Sequence, residues 1–311
     1  MPVSSTNRRH VLRFPERRAS HLDAYCRGLP SEGTRRVYRR IAIAFERWAS
    51  VPVDQVTRRT IESYREHLEV LGRAPTTIAQ HLAAICGYFQ FLEDEGVIDS
   101  NPAARVRRPK IAEPPPKQGI TPAEVRRLLE VCDPATMIGL RDRALVLTLS
   151  VQAFRISEAL GITVETLGEE AGHHVAQIIG KGNKPARVPL APIVHEAMQQ
   201  WLDAADIHEG PIFVPVSKGG VVKLGRAISS QSGWKRIKHL GQQAGIERAL
   251  HPHLARHGAA TAALAAGVAL HRVQDHLRHA DPRTTRRYDS QRRSLSNPCG
   301  PVVADLIKRA D

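Results

Sequence analysis

The stretch HPHLARHGAATAALAAGVALHRVQDHLRHADPRTTRRY, residues His251–Tyr288, decides how the rest of the chain is interpreted. It holds His253 and Arg256 three residues apart, then His279, and then Tyr288 nine residues later. Imidazole, guanidinium and phenol groups close together on a short helical run are the groups needed to attack a phosphodiester without a metal. The stretch predicts phosphodiester chemistry, provided that the rest of the chain supplies further charged groups and a way to hold DNA.

The charge of the chain favours a polyanionic partner. The 311 residues include 45 Lys and Arg against 31 Asp and Glu, a net charge of +14. Basic side chains that neutralise phosphates release counterions and so strengthen binding. Charge alone leaves open a basic protein that binds no nucleic acid. No apolar run approaches the ~20 residues of a membrane span, and the arginine-rich N-terminus lacks the apolar segment of a secretory signal. We therefore expect a cytoplasmic, nucleoid-associated protein without membrane contact.

The first hundred residues predict a basic arm and a helical module. Residues 1–20 are polar and basic without periodicity, which favours a flexible arm. Within residues 21–103, apolar residues at helical spacing predict helices over Thr34–Ala49, Thr57–Leu71 and Pro75–Glu95, the last capped by Thr76 or Thr77. A Pro-rich linker follows at residues 104–118. Candidate DNA-binding side chains in the module and linker are Arg35, Arg36, Arg39, Arg40, Arg107 and Arg108. The net charge favours DNA contact over the alternative, a solvated charged surface.

Residues 119–311 predict a second, mostly helical domain with a small sheet. Thr121 opens a capped helix, and Arg141–Leu160 is an apolar stretch that favours two helices broken near Gln152. Short strands at His174–Ile179 and Pro185–Leu190 flank a Gly-Lys-Gly-Asn turn, which places Lys181 at or beside a hairpin tip. Further helices are expected at 192–204, 231–244 and 302–310. The predicted fold class is mainly α: a helical DNA-binding bundle followed by a helical domain with a small β-hairpin.

Four motifs, in order and in spacing, resemble the tyrosine recombinase family of phage integrases and Xer-type recombinases. They are Arg-Ile-Ser-Glu at 155–158, Gly-Lys-Gly-Asn-Lys at 180–184, His-Leu-Ala-Arg-His at 253–257, and Leu-Arg-His…Thr-Thr-Arg-Arg-Tyr at 277–288. The resemblance implies an active-site set of Arg155, Lys181, His253, Arg256, His279 and Tyr288. Two departures stand out. Arg278 occupies a position where the family usually has glycine, and Gln152-Ala153-Phe154 precedes Arg155 where Thr-Gly-Leu is common.

The resemblance implies a site-specific recombinase that cuts and rejoins double-stranded DNA through a covalent 3′-phosphotyrosyl intermediate, without metal, ATP or any cofactor. Two arginines would clamp the phosphate while the histidines and the lysine move protons. The family also implies a homotetramer on two DNA sites, with a monomer or weak oligomer when free. The helix at 302–310 could dock in a neighbouring subunit or fold back on its own domain.

Several alternatives stay open on the sequence alone. Arg155 and Glu158 could form only a structural ion pair, Lys184 competes with Lys181, and Tyr288 could be a packing residue. Histidine pairs at helical spacing (His253 with His257, His276 with His279) permit a metal site, although the four scattered cysteines complete none. Two alternative functions are a type IB topoisomerase-like relaxing enzyme and a catalytically silent DNA-binding accessory protein.

Overall fold

A computed structural model of the chain describes residues 14–111, 118–180, 185–278 and 285. The chain divides into two compact units, residues 1–113 and 114–311. Both units are mainly helical, and the second contains a small antiparallel sheet, so the predicted fold class is confirmed. In the described part of the chain, no helix is long and apolar enough to cross a membrane.

The N-terminal unit has four α-helices in the part of it that the structure describes. These are α1 (Phe14–Gly28), α2 (Glu32–Ala49), α3 (Arg58–Val70) and α4 (Pro75–Asp94). Helix α1 was not expected: it begins at Phe14, so the arm predicted for residues 1–20 is too long. The predicted threonine cap of α4 is also wrong, because the helix begins with Pro75 directly after Ala74. Proline suits the first helical position, since its missing N–H would have no intrahelical partner there.

The core of this unit is aromatic. The rings of Phe45 and Tyr64 pack edge to face with centroids 5.1 Å apart, and Phe89 packs against Phe45 at 6.0 Å. All three side chains are buried. Aromatic pairs in this geometry stabilise a core beyond the area that they bury. The apolar face of α2 is thereby fixed inward, and its arginines are left on the outside.

The C-terminal unit contains seven helices and three strands in its described residues. The helices are α5 (Pro122–Glu130), α6 (Met137–Ser150), α7 (Ile156–Leu160), α8 (Pro192–Ala205), α9 (Ser230–Gln243), α10 (Pro252–Ala265) and α11 (Leu270–Leu277). Helix α6 is buried on nearly every side and packs against α8 and α10. The predicted break after α6, near Gln152, is confirmed, since α7 does not begin until Ile156.

The sheet has the order β1 (Leu167–Glu170), β2 (His173–Ile179) and β3 (Pro185–Pro189), all antiparallel. The sequence predicted β2 and β3 but missed β1. Residues Ala171 and Gly172 both have positive φ, 50° and 75°, and connect the paired residues Glu170 and His173. A two-residue turn with two positive φ angles matches the twist of a hairpin. Strand β1 was missed because Leu-Gly-Glu-Glu has no alternation of apolar and polar residues.

A close backbone contact fixes α10 against the start of the unit. The N–H of Ile120 donates to the carbonyl of Leu254 at 2.9 Å. A Cβ atom added to Gly258 would lie 1.9 Å from the carbonyl oxygen of Ile120, so only glycine fits there. The helix that carries His253 and Arg256 is therefore held by backbone contact on one side.

Candidate active site

Arg155 lies at the start of α7, directly after an unusual backbone turn. Ala153, two residues earlier, is buried with φ at 52°, in the left-handed region. Arg155 is the N-cap of α7, and its backbone N–H donates to Glu158 Oε2 at 2.8 Å. Its guanidinium Nη1 donates to Glu158 Oε1 at 2.5 Å. Both oxygens of Glu158 therefore fix Arg155, one through its backbone and one through its side chain.

Arg155 nevertheless keeps an open edge. Its side chain is 35% exposed, whereas the Glu158 side chain is 2% exposed. A buried carboxylate thus holds one side of the guanidinium and leaves the other side accessible. The planar donor fork of arginine suits bidentate contact with a phosphate.

Glu158 is the common partner of three arginines. Besides Arg155, Arg278 Nη2 lies 2.6 Å from Oε2, and Arg256 Nη1 lies 4.0 Å from the same oxygen. Burial alone would raise the pKa of this carboxyl. The hydrogen bonds from Arg155 and the charges of Arg278 and Arg155 outweigh burial and hold the pKa below its usual value. Glu158 is therefore ionised at neutral pH, and the cluster carries more positive than negative charge.

Arg256 projects from α10 into the interior. Its side chain is 1% exposed. Nη1 donates to the carbonyl of Ala153 at 2.6 Å, and Nη2 makes a short hydrogen bond to the carbonyl of Leu277. Arg256 therefore ties the turn before Arg155 to the end of α11. Charge-assisted bonds to two separate carbonyls give this position little freedom.

A second link joins the end of α11 to the end of α6. His276 Nε2 lies 3.1 Å from the carbonyl oxygen of Val151, so Nε2 must carry the proton and donate it. Arg278, which follows the last residue of α11, adds the ion pair to Glu158. These two contacts fix the end of α11 against the turn before Arg155. His279 follows directly in the sequence.

His253 lies one turn before Arg256 on α10 and is exposed. Partial desolvation, followed by the charge of Arg256 and the nearby His251, His257 and Arg155, lowers the pKa of His253. A neutral imidazole near neutral pH can accept a proton. On the same helix, the pKa of His257 is also lowered, mainly by burial, and its carbonyl accepts a bond from Thr261 Oγ1.

The structure brings Arg155 and Arg256 together around Glu158 and places His253 on the Arg256 helix. Lys181 and its rival Lys184 belong to the connection between β2 and β3 and lie outside the described residues. His279, Tyr288 and the predicted helix at 302–310 also lie outside them. Thr285, three residues before Tyr288, is described and is fully buried.

Two residues of this cluster are only weakly indicated by the sequence. Glu158 was considered only as a partner of Arg155, although its spacing three residues after the helix cap predicts a bond back to the cap N–H. The sequence shows Arg278 only as a departure from the glycine that is usual in the family. Its φ of 52° and ψ of 47° identify a left-handed helix end, the backbone conformation for which glycine is preferred. The usual glycine at this position could have indicated the conformation, but not the contact with Glu158.

The predicted DNA-binding arginines are all on the surface. Arg35, Arg36, Arg39 and Arg40 are exposed on α2, and Arg107 and Arg108 are exposed in the segment after α4. Two of them also make contacts within the unit: Arg39 pairs with Asp23 at 2.6 Å, and Arg35 Nε donates to the carbonyl of Leu29 at 2.9 Å. As for the metal alternative, no group of three or more metal-binding side chains occurs among the residues that the structure describes.

Comparison with known proteins gives the family. Residues 118–294 match the model of the phage integrase family, and residues 22–96 match the phage integrase N-terminal SAM-like domain. The chain belongs to the phage integrase family of tyrosine recombinases. It is accordingly an enzyme that breaks and rejoins DNA in site-specific recombination. The topoisomerase-like and catalytically silent alternatives are not favoured.

The relatives cover most of the chain. Tyrosine recombinase XerD of Halalkalibacterium halodurans is 35% identical over 75% of this chain and 77% of its own length. Tyrosine recombinase XerD of Pseudomonas putida is 30% identical over 83% of this chain and 86% of its own length. Among solved structures, the XerH recombinase bound to its difH substrate after cleavage has a TM-score of 0.65 at 20% identity, covering 83% of this chain and 77% of that one. The Tn1549 transposon integrase with circular intermediate DNA has a TM-score of 0.64 at 18% identity, covering 92% and 98%. At these identities the structural likeness shows the fold.

Proposed function

We propose that this recombinase cuts each strand of its DNA site with Tyr288 and exchanges strands between two copies of that site. The observation that carries this proposal is the arrangement around Glu158, in which a buried carboxylate anchors Arg155 while leaving its guanidinium open beside Arg256. The proposed active-site set is Arg155, Lys181, His253, Arg256, His279 and Tyr288.

The arginines are assigned to the phosphate. The transition state gathers negative charge on the two non-bridging oxygens, and donors fixed in advance stabilise that charge without reorganising. Arg155 suits this role because Glu158 orients its guanidinium and leaves one edge accessible. Arg256 supplies a second buried positive charge and holds the turn before Arg155 through the Ala153 carbonyl. Together they take the place that a metal ion fills in other phosphoryl-transfer enzymes.

The proton transfers fall to the remaining groups. The Tyr288 oxygen attacks phosphorus and gives its proton to His253, whose lowered pKa keeps the imidazole neutral. The bond from phosphorus to the 5′ oxygen breaks, and Lys181 gives that oxygen a proton. His279 donates a hydrogen bond to a non-bridging oxygen or orients the phosphate. The product is a 3′-phosphotyrosyl linkage, which keeps the bond energy, so that attack by a 5′ hydroxyl of the other site rejoins the strand without ATP.

Binding of the duplex is assigned to both units. The helical domain at 21–103 and the linker at 104–118 would contact the backbone through the exposed arginines of α2 and through Arg107 and Arg108. The catalytic domain at 119–311 would hold the scissile phosphate. A homotetramer on two sites would align the four strands, with the 302–310 helix docking in cis or in trans. The free protein would be a monomer or weak oligomer, and the enzyme would work on nucleoid DNA.

Covalent trapping tests the nucleophile. Purified full-length protein carrying an affinity tag is incubated with fragments of the source genome, denatured in SDS and captured. The attached DNA is then sequenced to define the site. A duplex of that site with a nick beside the scissile phosphate is then used as a suicide substrate, because the short strand diffuses away and prevents rejoining. We expect an SDS-stable adduct with the wild-type protein and loss of at least ~10³-fold in rate with Tyr288→Phe.

Tyr38→Phe is the matched control, since it removes a phenol oxygen from α2 and keeps the ring. It should form the adduct at the wild-type rate. An adduct that persists in Tyr288→Phe would show that another side chain is the nucleophile. Failure of the wild-type protein to attach to any genomic fragment would overturn the proposed mechanism as a whole.

A further inference from the structure

Arg278 occupies a backbone position that disfavours it. As the residue that ends α11, it has φ at 52° and ψ at 47°, and its N–H donates to the carbonyl of Asp275 at 2.9 Å. A side chain in this left-handed region crowds the neighbouring carbonyl, which is why glycine is the common choice at helix ends of this type. A residue that strains the backbone at a functional site is a reason to look for the use of its side chain.

The side chain of Arg278 is directed into the cluster formed by Arg155, Arg256 and Glu158. Its Nη2 lies 2.6 Å from Glu158 Oε2, and its guanidinium carbon lies 4.9 Å from the ring centroid of Phe154, over the ring. Nη1 donates to the carbonyl of His276 at 3.3 Å. With 18% of the side chain exposed, the guanidinium is largely enclosed by α7, the turn before it and the end of α11. Stacking and ion pairing together fix its orientation.

The contact changes the charge that surrounds Arg155. Glu158 Oε1 binds the Arg155 side chain, while Oε2 receives the Arg155 backbone N–H and Arg278. Arg155, Arg256, Arg278 and ionised Glu158 together carry a net charge of +2. With glycine at position 278, Arg155, Arg256 and Glu158 would carry +1 between them. Glu158 would then offset more of the positive charge of Arg155.

We propose that Arg278 is a positioning residue that neutralises Glu158, so that the carboxylate offsets less of the positive charge that Arg155 presents to the scissile phosphate. The inference rests on the proposed function and deepens it. The Arg278 guanidinium offsets the negative charge of Glu158, which glycine, having no side chain, cannot do. It acts through Glu158 and Arg155 rather than by touching the reacting atoms.

The charge role and a merely structural role predict different kinetics. A charge that stabilises the transition state changes the rate of the covalent step at saturating DNA and leaves the DNA concentration for half-saturation nearly unchanged. Such a charge also has a smaller effect on the rate when the phosphate is neutral. A methylphosphonate replaces one charged non-bridging oxygen by a methyl group, so its transition state gathers less negative charge. A residue that only holds the fold would cost the same factor on both substrates.

The test uses three substitutions in the full chain with the nicked suicide duplex. Arg278→Met keeps the length and the backbone strain but removes the charge. Arg278→Gly removes both, and Arg278→Lys keeps the charge. We expect Met and Gly to slow adduct formation by similar factors of about 10–100, with Gly melting at a higher temperature than Met because the strain is relieved. We expect Lys to recover most of the rate.

Arg272→Met is the matched control, because Arg272 is an exposed arginine on the same helix. It should leave the rate within about threefold on both substrates, as surface substitutions usually do. On the methylphosphonate duplex the loss in Arg278→Met should shrink to under about fivefold, since one charge of the transition state is gone. An equal loss on both substrates, or a Met variant as fast as wild type, would overturn the inference and leave the proposed function intact. A wild-type protein that forms no adduct would instead overturn the proposed function.

Discussion

The C-terminal unit contains two buried carboxylates that each bind more than one arginine, and they differ in what surrounds them. Asp142, on α6, accepts from Arg141 at 2.8 Å and makes a short hydrogen bond with Arg236 of α9. Its side chain is fully buried, and those of Arg141 and Arg236 are 6% and 21% exposed. Glu158 is equally buried, yet the Arg155 that it holds is 35% exposed. The cluster of Asp142, Arg141 and Arg236 is called the closed cluster below. The cluster of Glu158, Arg155, Arg256 and Arg278 is called the open cluster, because Arg155 remains accessible.

The closed cluster makes further contacts inside the unit. Arg141 donates to the carbonyl of Val214 at 3.3 Å as well as to Asp142. Burial, with the charge of Asp142 as the next cause, raises the pKa of the nearby Cys132 thiol to about 12. With Asp142 and Arg141 buried, this cluster links α6 to α9. Such a network fixes the packing of helices, and its removal is costly because a buried charge is left without a partner.

The open cluster is surrounded by strained backbone. Ala153 and Arg278 both adopt left-handed conformations and both contribute to it, one through its carbonyl and one through its guanidinium. Asp142 instead lies within the regular helix α6. Strain of this kind persists where the surroundings over-determine a conformation, and it concentrates at functional sites. Exposure and strain, more than the ion pairs themselves, distinguish the cluster that can meet a phosphate.

The largest expected effect comes from changing a guanidinium to an ammonium in each cluster. Arg155→Lys should slow adduct formation on the suicide duplex by about 10²–10³-fold, since lysine cannot bind Glu158 and a phosphate with one planar fork. Arg236→Lys is the matched change in the closed cluster and should leave the rate per folded molecule within about threefold. The comparison fails if both variants lose rate equally after correction for the folded fraction.

The next largest effect is expected on stability, in the closed cluster. Asp142→Asn should lower the free energy of unfolding by about 3–5 kcal/mol, because two buried arginines lose their counter-charge. The melting temperature of the catalytic unit should fall by about 10 °C or more. Thermal unfolding of the full chain, followed by circular dichroism, measures the shift.

Asp203→Asn is the control for this change, since Asp203 is exposed on α8 and its carboxylate accepts a hydrogen bond from Gln199 at 2.8 Å. It should shift stability by under about 0.5 kcal/mol. If Asp142→Asn melts like Asp203→Asn, the closed cluster contributes no more than a surface contact does.

The sequence predicted one cluster much better than the other. Arg155, His253 and Arg256 could be singled out because each lies in a short local motif, and helical spacing placed His253 and Arg256 one turn apart. The pairing of Asp142 with Arg236 joins residues 94 positions apart. No local pattern marks such a contact, because it depends on how α6 and α9 pack. Strand β1 was likewise hidden, because Leu-Gly-Glu-Glu has no alternation of apolar and polar residues. So was the contact of Arg278 with Glu158, which joins residues 120 positions apart.

The smallest effect expected is a dependence of the rate of adduct formation on pH, caused by His253 beside the open cluster. Asp142 is bound by arginines, whereas His253 lies one turn before Arg256 and has a lowered pKa, through partial desolvation and then the charge of Arg256. If neutral His253 accepts the Tyr288 proton, adduct formation should stay constant from pH 8 down to about 6.5, the ordinary value for histidine, and fall only in more acidic solution. Rates at saturating DNA across this range measure the profile.

The same shift affects stability in a defined direction. The unfolded chain takes up a proton on His253 near pH 6.5, while the folded chain does so only at lower pH. Between the two values the unfolded state binds more protons, so the free energy of unfolding decreases as the pH falls through about 6.5 and levels off below the folded pKa. His253→Gln should remove this contribution and flatten the acid side of the rate profile. An unchanged acid limb in His253→Gln would assign the proton transfer to another group and leave the open cluster with only its arginines in the proposed roles.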